Sequence, residues 1–133
     1  MADVKLVKSI YTSTDVTSLG EVGTSDNIAS SYNWTAGQRA TFVTDNDGSF
    51  NLNGGQNFKC TPTGNFTLTF TNIANGQSGF IILINSGGHT VSLHTNSKAD
   101  ANLATAVSTA GTYILCYIAD GTNVYLTNSA IIA

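Results

Sequence analysis

The segment from Asn65 to Thr71 alternates strictly between polar and apolar side chains, and this pattern constrains the fold more than any other feature. Phe66, Leu68 and Phe70 stand at every second position, with threonines between them. Successive side chains of a β-strand point to opposite faces, so this period of two predicts a strand with a core face and a solvent face. Other strand-like segments recur between turn signals at intervals of roughly 8–12 residues, a spacing typical of all-β domains.

The composition excludes several other classes of protein. Charged residues make up 10% of the chain, against about 25% in an average globular protein. The helix formers Lys, Glu and Arg are scarce, whereas Thr, Asn and Gly, which disfavour helices, are abundant. A hydrophobic content of 41% and a net charge of −3 argue against disorder. We therefore expect an all-β fold, an antiparallel β-sandwich or jelly-roll-like domain preceded by an extended N-terminal arm.

The division of the chain is expected at the Ala36-Gly37 turn. Residues 1–36, rich in Ser, Thr and Asp, would form an N-terminal anchoring arm, and residues 37–133 the β-sandwich domain. Within the arm, Val4–Tyr11 alternates weakly; it could add a strand to the sheet edge of another protein, or be the first strand of the same domain. Within the domain, Lys98–Val107 is the one plausible helix, and a strand of small residues is the alternative.

Turn signals separate the remaining strands of the domain. Asp47-Gly48 and Asp120-Gly121 supply the positive φ that tight hairpins need, and Ser86–Gly88 predicts a further hairpin. Gly79–Asn85 contains five consecutive apolar residues, Phe80–Ile84. Such a strand is typically buried on both faces, so we expect it centrally in the sandwich or between subunits.

Two features favour a homo-oligomer. From Cys60 to Ser97 the chain contains no Asp, Glu, Lys or Arg, although monomeric proteins usually place charges on edge strands to prevent pairing with other chains. The C-terminal segment also carries the apolar pair Ile131 and Ile132, which favours docking against a neighbour.

Charge and hydropathy argue against two classes of partner. A net charge of −3 has the wrong sign for binding nucleic acid. The apolar run Phe80–Ile84 is far shorter than the roughly 20 residues of a membrane span. Because Met1–Lys5 lacks the apolar stretch of a signal peptide, we expect a protein made in a cytosol and used there or released by lysis. Cys60 and Cys116 are then expected to be reduced core cysteines, with a single disulfide as the alternative.

No pattern of residues predicts catalysis, a cofactor or a metal site. Glu21 is the only Glu, so paired carboxylates would have to rest on Asp alone. Asp45–Ser49 starts like a calcium loop, but the sixth and twelfth positions lack the required Gly and Glu. His89 and His94 point to opposite faces if they share one regular strand, which is poor geometry for a common metal. We therefore expect a non-enzymatic protein without cofactors.

Aromatic and apolar residues near the two ends of the chain are candidates for contacts with partners. Tyr11, Tyr32 and Trp34 could stack on sugar rings, but anchoring of the arm onto its own domain or a neighbour is the favoured interpretation. The candidate contact residues are Leu6, Ile10, Tyr11, Tyr32, Trp34, Ile131 and Ile132.

Two parts of the sequence resemble a repeated β module of bacteriophage structural proteins. In Asn65–Phe70 and Asn75–Phe80, a strand of the type T-L-T-F is followed by G-Q-S-G and an apolar strand, as in that module. Gly111–Tyr113 and Asp120–Tyr125 resemble its final hairpin, where an Asp-Gly turn leads to an aromatic strand. The family often has Trp-Pro where this chain has His89–Leu93, so no ligand contact is carried over.

The resemblance covers about residues 38–128 and implies a virion protein. Members of the family occur in tail fibres, collars or knobs and on capsid surfaces, usually as trimers or other multimers. By analogy we expect a capsid decoration (cement) protein at the virion surface, with the major capsid protein or other virion proteins as partners and a homotrimer as the favoured oligomer. A tail-fibre or knob module that recognises host-surface glycans is the alternative. A lectin-like domain unrelated to a virus is a third hypothesis.

Overall fold

The computed structural model describes the backbone of residues 7–12 and 15–21 and the whole of residues 39–132. The chain divides into two compact units, Met1–Gly37 and Gln38–Ala133. Most described residues lie in strands, so the protein is mostly β, as the sequence predicts.

The described part of the first unit is a two-stranded ladder. Strands β1 (Val7–Thr12) and β2 (Asp15–Glu21) pair antiparallel, with Ile10 opposite Ser18 and a register shift after Ile10. The arm that we expect to be extended therefore contains a pair of strands that bond to each other.

Strands of the second unit follow the predicted alternation most closely in the segment that ends at Thr71. Leu68 and Phe70 are buried there, while Thr67 and Thr71 are exposed, which confirms the predicted core and solvent faces. The elements described within residues 39–132 are β3 (Phe42–Thr44), β4 (Ser49–Asn51), a 3-10 turn (Leu52–Gly54), β5 (Asn57–Cys60), β6 (Phe66–Thr71), β7 (Asn75–Asn85), β8 (Val91–Leu93), β9 (Ser97–Ala99), α1 (Leu103–Val107), β10 (Gly111–Asp120) and β11 (Val124–Asn128).

These strands form one mixed sheet and one parallel sheet, and most neighbouring strands are parallel. One sheet has the order β3-β5-β7-β10-β11-β9 and the other the order β4-β6-β8. From β3 to β8 the chain alternates between the sheets, so Phe42 lies opposite Asn57, and Ser49 opposite Thr69. The ladders β7–β10 and β10–β11 are antiparallel. Because most ladders of the two sheets are parallel, the expectation of an antiparallel domain is wrong for most of the strand pairs.

The turns account for this difference between expected and observed pairing. Gly48 has a φ of 83° and Gly121 a φ of 92°, as Asp-Gly turns require. The turn at Gly121 joins β10 and β11 in the predicted hairpin. The turns at Gly48 and at Ser86–Gly88 carry the chain into the other sheet instead, so the hairpins predicted there are wrong. A positive φ bends the backbone locally, whereas core packing decides which strand becomes the partner.

The hydrophobic core lies where the two sheets contact each other. The ring centroids of Phe50 on β4 and Phe58 on β5 are 5.1 Å apart, and those of Phe70 on β6 and Tyr117 on β10 are 5.8 Å apart. Each pair joins one sheet to the other. Because Phe50 and Phe58 are fully buried, each contributes about 1.5–3 kcal/mol to the stability of the folded state.

The Ala-rich segment Lys98–Val107, for which a helix and a strand are the predicted alternatives, contributes to both a strand and a helix. Its first part is β9, in which Lys98 pairs in parallel with Tyr125 of β11. Its last part is the helix α1, whose Leu103 and Val107 are buried in the core. Since residues four positions apart share one face of a helix, a single turn suffices to dock α1.

Asn85, at the end of β7, ties three elements together. Its fully buried side chain donates from Nδ2 to the carbonyl oxygens of His89 (2.8 Å) and Val107 (2.9 Å). Its Oδ1 accepts from the backbone nitrogen of His89 at 2.8 Å. The amide thus fixes the turn after β7 against the end of α1.

Among residues 39–132, every edge strand of the two sheets is short. The edges are β3 and β9 in one sheet and β4 and β8 in the other, and each has three residues. The long uncharged strands β6 and β7 lie inside their sheets. Short edges limit pairing with other chains, so the missing charges between Cys60 and Ser97 do not leave a long open edge.

Candidate functional site

The outward side of the six-stranded sheet carries the largest exposed apolar residues of β7, β10 and β11. Alternation in β7 and β10 sends Ile81, Leu83 and Leu115 into the core, where they are fully buried. The residues between them point the other way. We call this surface the outer face and define it by Phe80, Ile82, Ile114, Cys116, Ile118 and Tyr125.

The strand register makes the outer face contiguous. Ile82 lies opposite Ile114, Phe80 opposite Cys116, and Ile118 opposite Tyr125. Directly opposed side chains on adjacent strands are close enough to touch. Phe80 is 51% exposed, Ile118 56% and Tyr125 47%, so the patch presents rings and branched chains to its surroundings.

Two open concavities flank Cys116 on this face. One, of about 370 Å³, lies on the β11 side and is lined by Cys116, Tyr117, Ile118, Tyr125, Leu126 and Thr127. The other, of about 460 Å³, lies on the β5 and β7 side and is lined by Gln56, Asn57, Ser78, Gly79, Phe80, Cys116 and Tyr117. The face is therefore corrugated, with projecting side chains beside depressions.

Charged groups border the outer face. Lys59 lies beside Ile82, and Lys98 beside Tyr125, on the neighbouring strands. At one end of β10, Asp120 Oδ2 accepts a hydrogen bond of 2.9 Å from the Tyr125 hydroxyl. Hydrogen bonds from the backbone of Asn123 and Thr122, and then that from Tyr125, lower the pKa of Asp120 to about 2. The carboxylate is therefore ionised at neutral pH, beside an exposed ring.

The exposure of β7 differs from the expectation of a strand buried on both faces inside one sandwich, and the alternative of burial between subunits stays a prediction. The apolar run Phe80–Ile84 predicts burial on both faces, but Phe80 is exposed and Ile82 and Ile84 are half-buried. Within residues 39–132 the three-stranded sheet packs against one side of β7, and no second layer covers the other. This is the physical origin of the outer face.

The predicted contact residues fall into three groups. Leu6, Tyr32 and Trp34 lie outside the described residues. Ile10 and Tyr11 lie in β1, where the backbone alone is described. Ile131 and Ile132 are 52% and 42% exposed, and the backbone of Ile132 bonds to Thr112 at the start of β10.

The outward residues of β10 and β11 are the ones that sequence reasoning missed. Ile114, Ile118 and Tyr125 are exposed, although the run from Tyr113 to Ile118 is almost wholly apolar. The available signal was this second apolar run. Together with Phe80–Ile84, it predicts two adjacent strands with apolar residues on both sides.

Both cysteines are free thiols, as expected, but the expectation that both lie in the core is wrong for Cys116. Cys60 on β5 is fully buried, whereas Cys116 lies half-buried on the outer face. Burial, followed by the nearby carboxylates of Asp45 and Asp47, raises the pKa of Cys60 to about 12. Cys60 is therefore an unreactive core residue, and Cys116 is the accessible thiol.

The loop that resembles the start of a calcium site uses its side chains to shape a turn. Asp47 Oδ1 accepts from the backbone nitrogen of Ser49 at 2.8 Å, and Asn46 Oδ1 from that of Thr61 at 2.8 Å. Burial raises the pKa of Asp45, while its hydrogen bond to Asp47 lowers the pKa of the latter. The part of the chain that the structure describes holds no group of three or more His, Cys, Asp or Glu that could bind a metal ion.

The two histidines lie on either side of strand β8. His89 lies in the turn before β8 and His94 directly after this strand, so they do not share one regular strand.

Among the described residues, no helix is long and apolar enough to cross a bilayer. No family model matches the chain, and neither a curated protein nor a solved structure matches it.

Proposed function

We propose that this chain is a non-enzymatic structural protein of a bacteriophage virion, a capsid decoration protein that sits on the particle surface as an oligomer. Its domain would be a two-layer β-sandwich of one mixed and one parallel sheet. Residues 1–36 would hold the assembled shell, and the domain would contact neighbouring virion proteins. Binding the assembled shell and not its dissociated subunits stabilises the assembly by mass action.

The observation that carries this proposal is the outer face. Monomeric proteins rarely expose contiguous apolar patches beyond a few hundred Å², yet Phe80, Ile118 and Tyr125 are each about half exposed. Ile118 lies opposite Tyr125, and Phe80 lies opposite Cys116, two residues before Ile118 on the same strand. A corrugated apolar sheet face of this kind suits contact with another protein surface. The resemblance of Asn65–Phe80 and Gly111–Tyr125 to the phage module supports a virion as the setting.

Co-sedimentation with capsids tests the proposal. Purified full-length protein is mixed with phage capsids assembled without it, and the pellet is analysed for stoichiometric binding. We expect saturable binding and a higher disruption temperature of the capsids. A variant that lacks residues 1–30 should lose binding while its circular dichroism keeps the β signature. Full-length protein that stays in the supernatant at every concentration would refute the proposal.

A glycan-binding tail-fibre or knob module is the second candidate. The observation in its favour is the exposed Tyr125 ring beside the ionised carboxylate of Asp120. A ring face stacks on the apolar side of a sugar, and a carboxylate accepts hydrogen bonds from its hydroxyls. Affinity for host-surface glycans that is lost in both Tyr125→Ala and Trp34→Ala, without capsid binding, would favour this function.

A further inference from the structure

We propose that the peptide bond between Arg39 and Ala40 is a proteolytic processing site, at which a protease specific for basic residues separates the two units of the chain. The bond lies two residues after the boundary between the units Met1–Gly37 and Gln38–Ala133. All described elements of the second unit follow the bond, since the first of them, β3, begins at Phe42. A cut at this bond therefore removes no described strand or helix from the domain.

The backbone around this bond is accessible. Arg39, Ala40 and Thr41 are exposed and lie in neither a strand nor a helix. A protease binds its substrate as an extended chain, through hydrogen bonds to the backbone, so it needs a segment that is not already paired within a sheet. Exposed irregular segments with small or polar residues are the preferred sites of proteolytic nicking, and Ala40 and Thr41 are residues of this kind.

The side chain of Arg39 supplies the specificity. Arg39 is the only Arg of the chain, and no Asp or Glu occurs between Asn27 and Thr44. Proteases of this class hold a guanidinium against a carboxylate at the base of a pocket, through charge-assisted hydrogen bonds. Because no carboxylate lies nearby in sequence, none competes with the pocket from a neighbouring position.

The reaction at this bond is a hydrolysis that consumes one water molecule. The bond between the carbonyl carbon of Arg39 and the nitrogen of Ala40 breaks, and the oxygen of the water joins the carbonyl carbon. The products are a carboxylate at Arg39 and an ammonium group at Ala40.

The lysines of the domain lie in paired strands. Lys59 is in β5, which pairs with β3 on one side and with β7 on the other. Lys98 is in β9, opposite Tyr125 of β11, and the neighbouring Ser97 is buried and donates from Oγ to the carbonyl oxygen of Leu68 at 2.8 Å. Cleavage at either lysine needs local unfolding of a sheet, and such open forms are rare in a stable domain. The bond after Arg39 should therefore be cut before them.

Limited digestion of the full chain with trypsin tests the site. We expect an early cut that gives residues 40–133 as one fragment, identified by mass spectrometry, while the bonds after Lys59 and Lys98 stay intact. The fragment should keep the β signature in circular dichroism and unfold at the Tm of the domain in the uncut chain.

Variants of single basic residues sharpen this test. Arg39→Gln should slow the appearance of the fragment at least about tenfold, because the acidic pocket of trypsin loses its charged partner. Arg39→Lys keeps the charge and should still be cut. Lys59→Gln is the matched control, since it removes the same charge from an exposed side chain of β5, and it should be cut at the parental rate.

Three results would overturn the processing site. Trypsin that leaves the bond after Arg39 intact would show that this bond is shielded in the native protein. Earlier cleavage after Lys59 or Lys98 would show that β5 or β9 opens more readily than the segment before β3. Release of residues 40–133 from Arg39→Gln at the parental rate would show that the guanidinium does not direct the cut.

The consequence for the particle, and it alone, rests on the proposed function. If residues 1–36 hold the shell, trypsin added to capsids that carry the full chain should move residues 40–133 from the pellet to the supernatant. Residues 40–133 that stay in the pellet would refute this release. Protein that is cut in solution but never pellets with capsids refutes the virion role alone, and protein that pellets but is not cut refutes the processing site alone.

Discussion

The Tyr117 hydroxyl donates a hydrogen bond of 2.8 Å to the carbonyl oxygen of Gln56. This bond joins the middle of β10 to the residue before β5, across the intervening strand β7. It passes over Gly79 of β7, where a side chain would overlap the Gln56 carbonyl and approach within 2.8 Å of the Tyr117 oxygen. Because Gly79 has no side chain, the Tyr117 hydroxyl and the Gln56 carbonyl oxygen can form this hydrogen bond.

Gly79→Ala tests this close approach. Because the added methyl group overlaps backbone atoms, we expect a loss of about 1–3 kcal/mol in the free energy of unfolding, measured by chemical denaturation. Gly64→Ala is the matched control, since its methyl group meets nothing within 4 Å, and it should be neutral or slightly stabilising. Equal stabilities of the two variants would contradict the argument.

Asn85→Ala should destabilise the fold through the backbone groups that it leaves without partners. The side chain satisfies two carbonyl oxygens and one N–H in a buried site, and each unsatisfied group costs about 1–3 kcal/mol. Since solvent and relaxation recover part of this, we expect a loss of roughly 2–4 kcal/mol. Asn53→Ala, at an exposed position, should change the stability by less than about 0.5 kcal/mol.

Asp120 should contribute stability that disappears in acid. Its pKa is about 2 in the folded protein and 3.8 ordinarily, so the contribution is complete above 3.8 and is lost as the pH falls toward 2. We expect Asp120→Asn to have a lower Tm than the parent at neutral pH, with the gap closing over this acid range. A gap that stays constant down to the folded pKa would show that the ionised carboxylate is not responsible.

The two cysteines should label in two stages. In the native protein, at a dilution that leaves the outer face free, we expect one thiol per chain to react, and peptide mapping should place the label on Cys116. Cys60 should react only after unfolding, because it is fully buried and its pKa is raised to about 12. Rapid labelling of both thiols in the native state would contradict the described core.

Local rules predict the parts of the fold that depend on near neighbours. The alternation in Phe66–Phe70 is enough to assign the two faces of β6. The Asp-Gly turn before Val124 is enough to predict the β10–β11 hairpin, since both strands border the turn. These features need no knowledge of distant contacts.

Pairing between distant strands could not be predicted in the same way. A turn at Gly48 is compatible with a hairpin and with a crossover, and the chain takes the crossover because Phe50 packs on Phe58 and Phe70 between the sheets. The outer face escaped prediction for a related reason. Apolar residues on both sides of β7 predict two covered faces, and the sequence does not say whether the second cover belongs to the same chain.

The alternating path from β3 to β8 has a consequence for how the chain folds. In this part of the chain, no strand pairs with the next strand in sequence. Each parallel ladder joins two strands of one sheet that are separated in sequence by a strand of the other sheet. Loop closure therefore precedes most of the stabilising contacts, which is the condition for slow folding. The β10–β11 hairpin is local and can form early. The parallel ladders of β3 to β8 must instead form together, in one cooperative event.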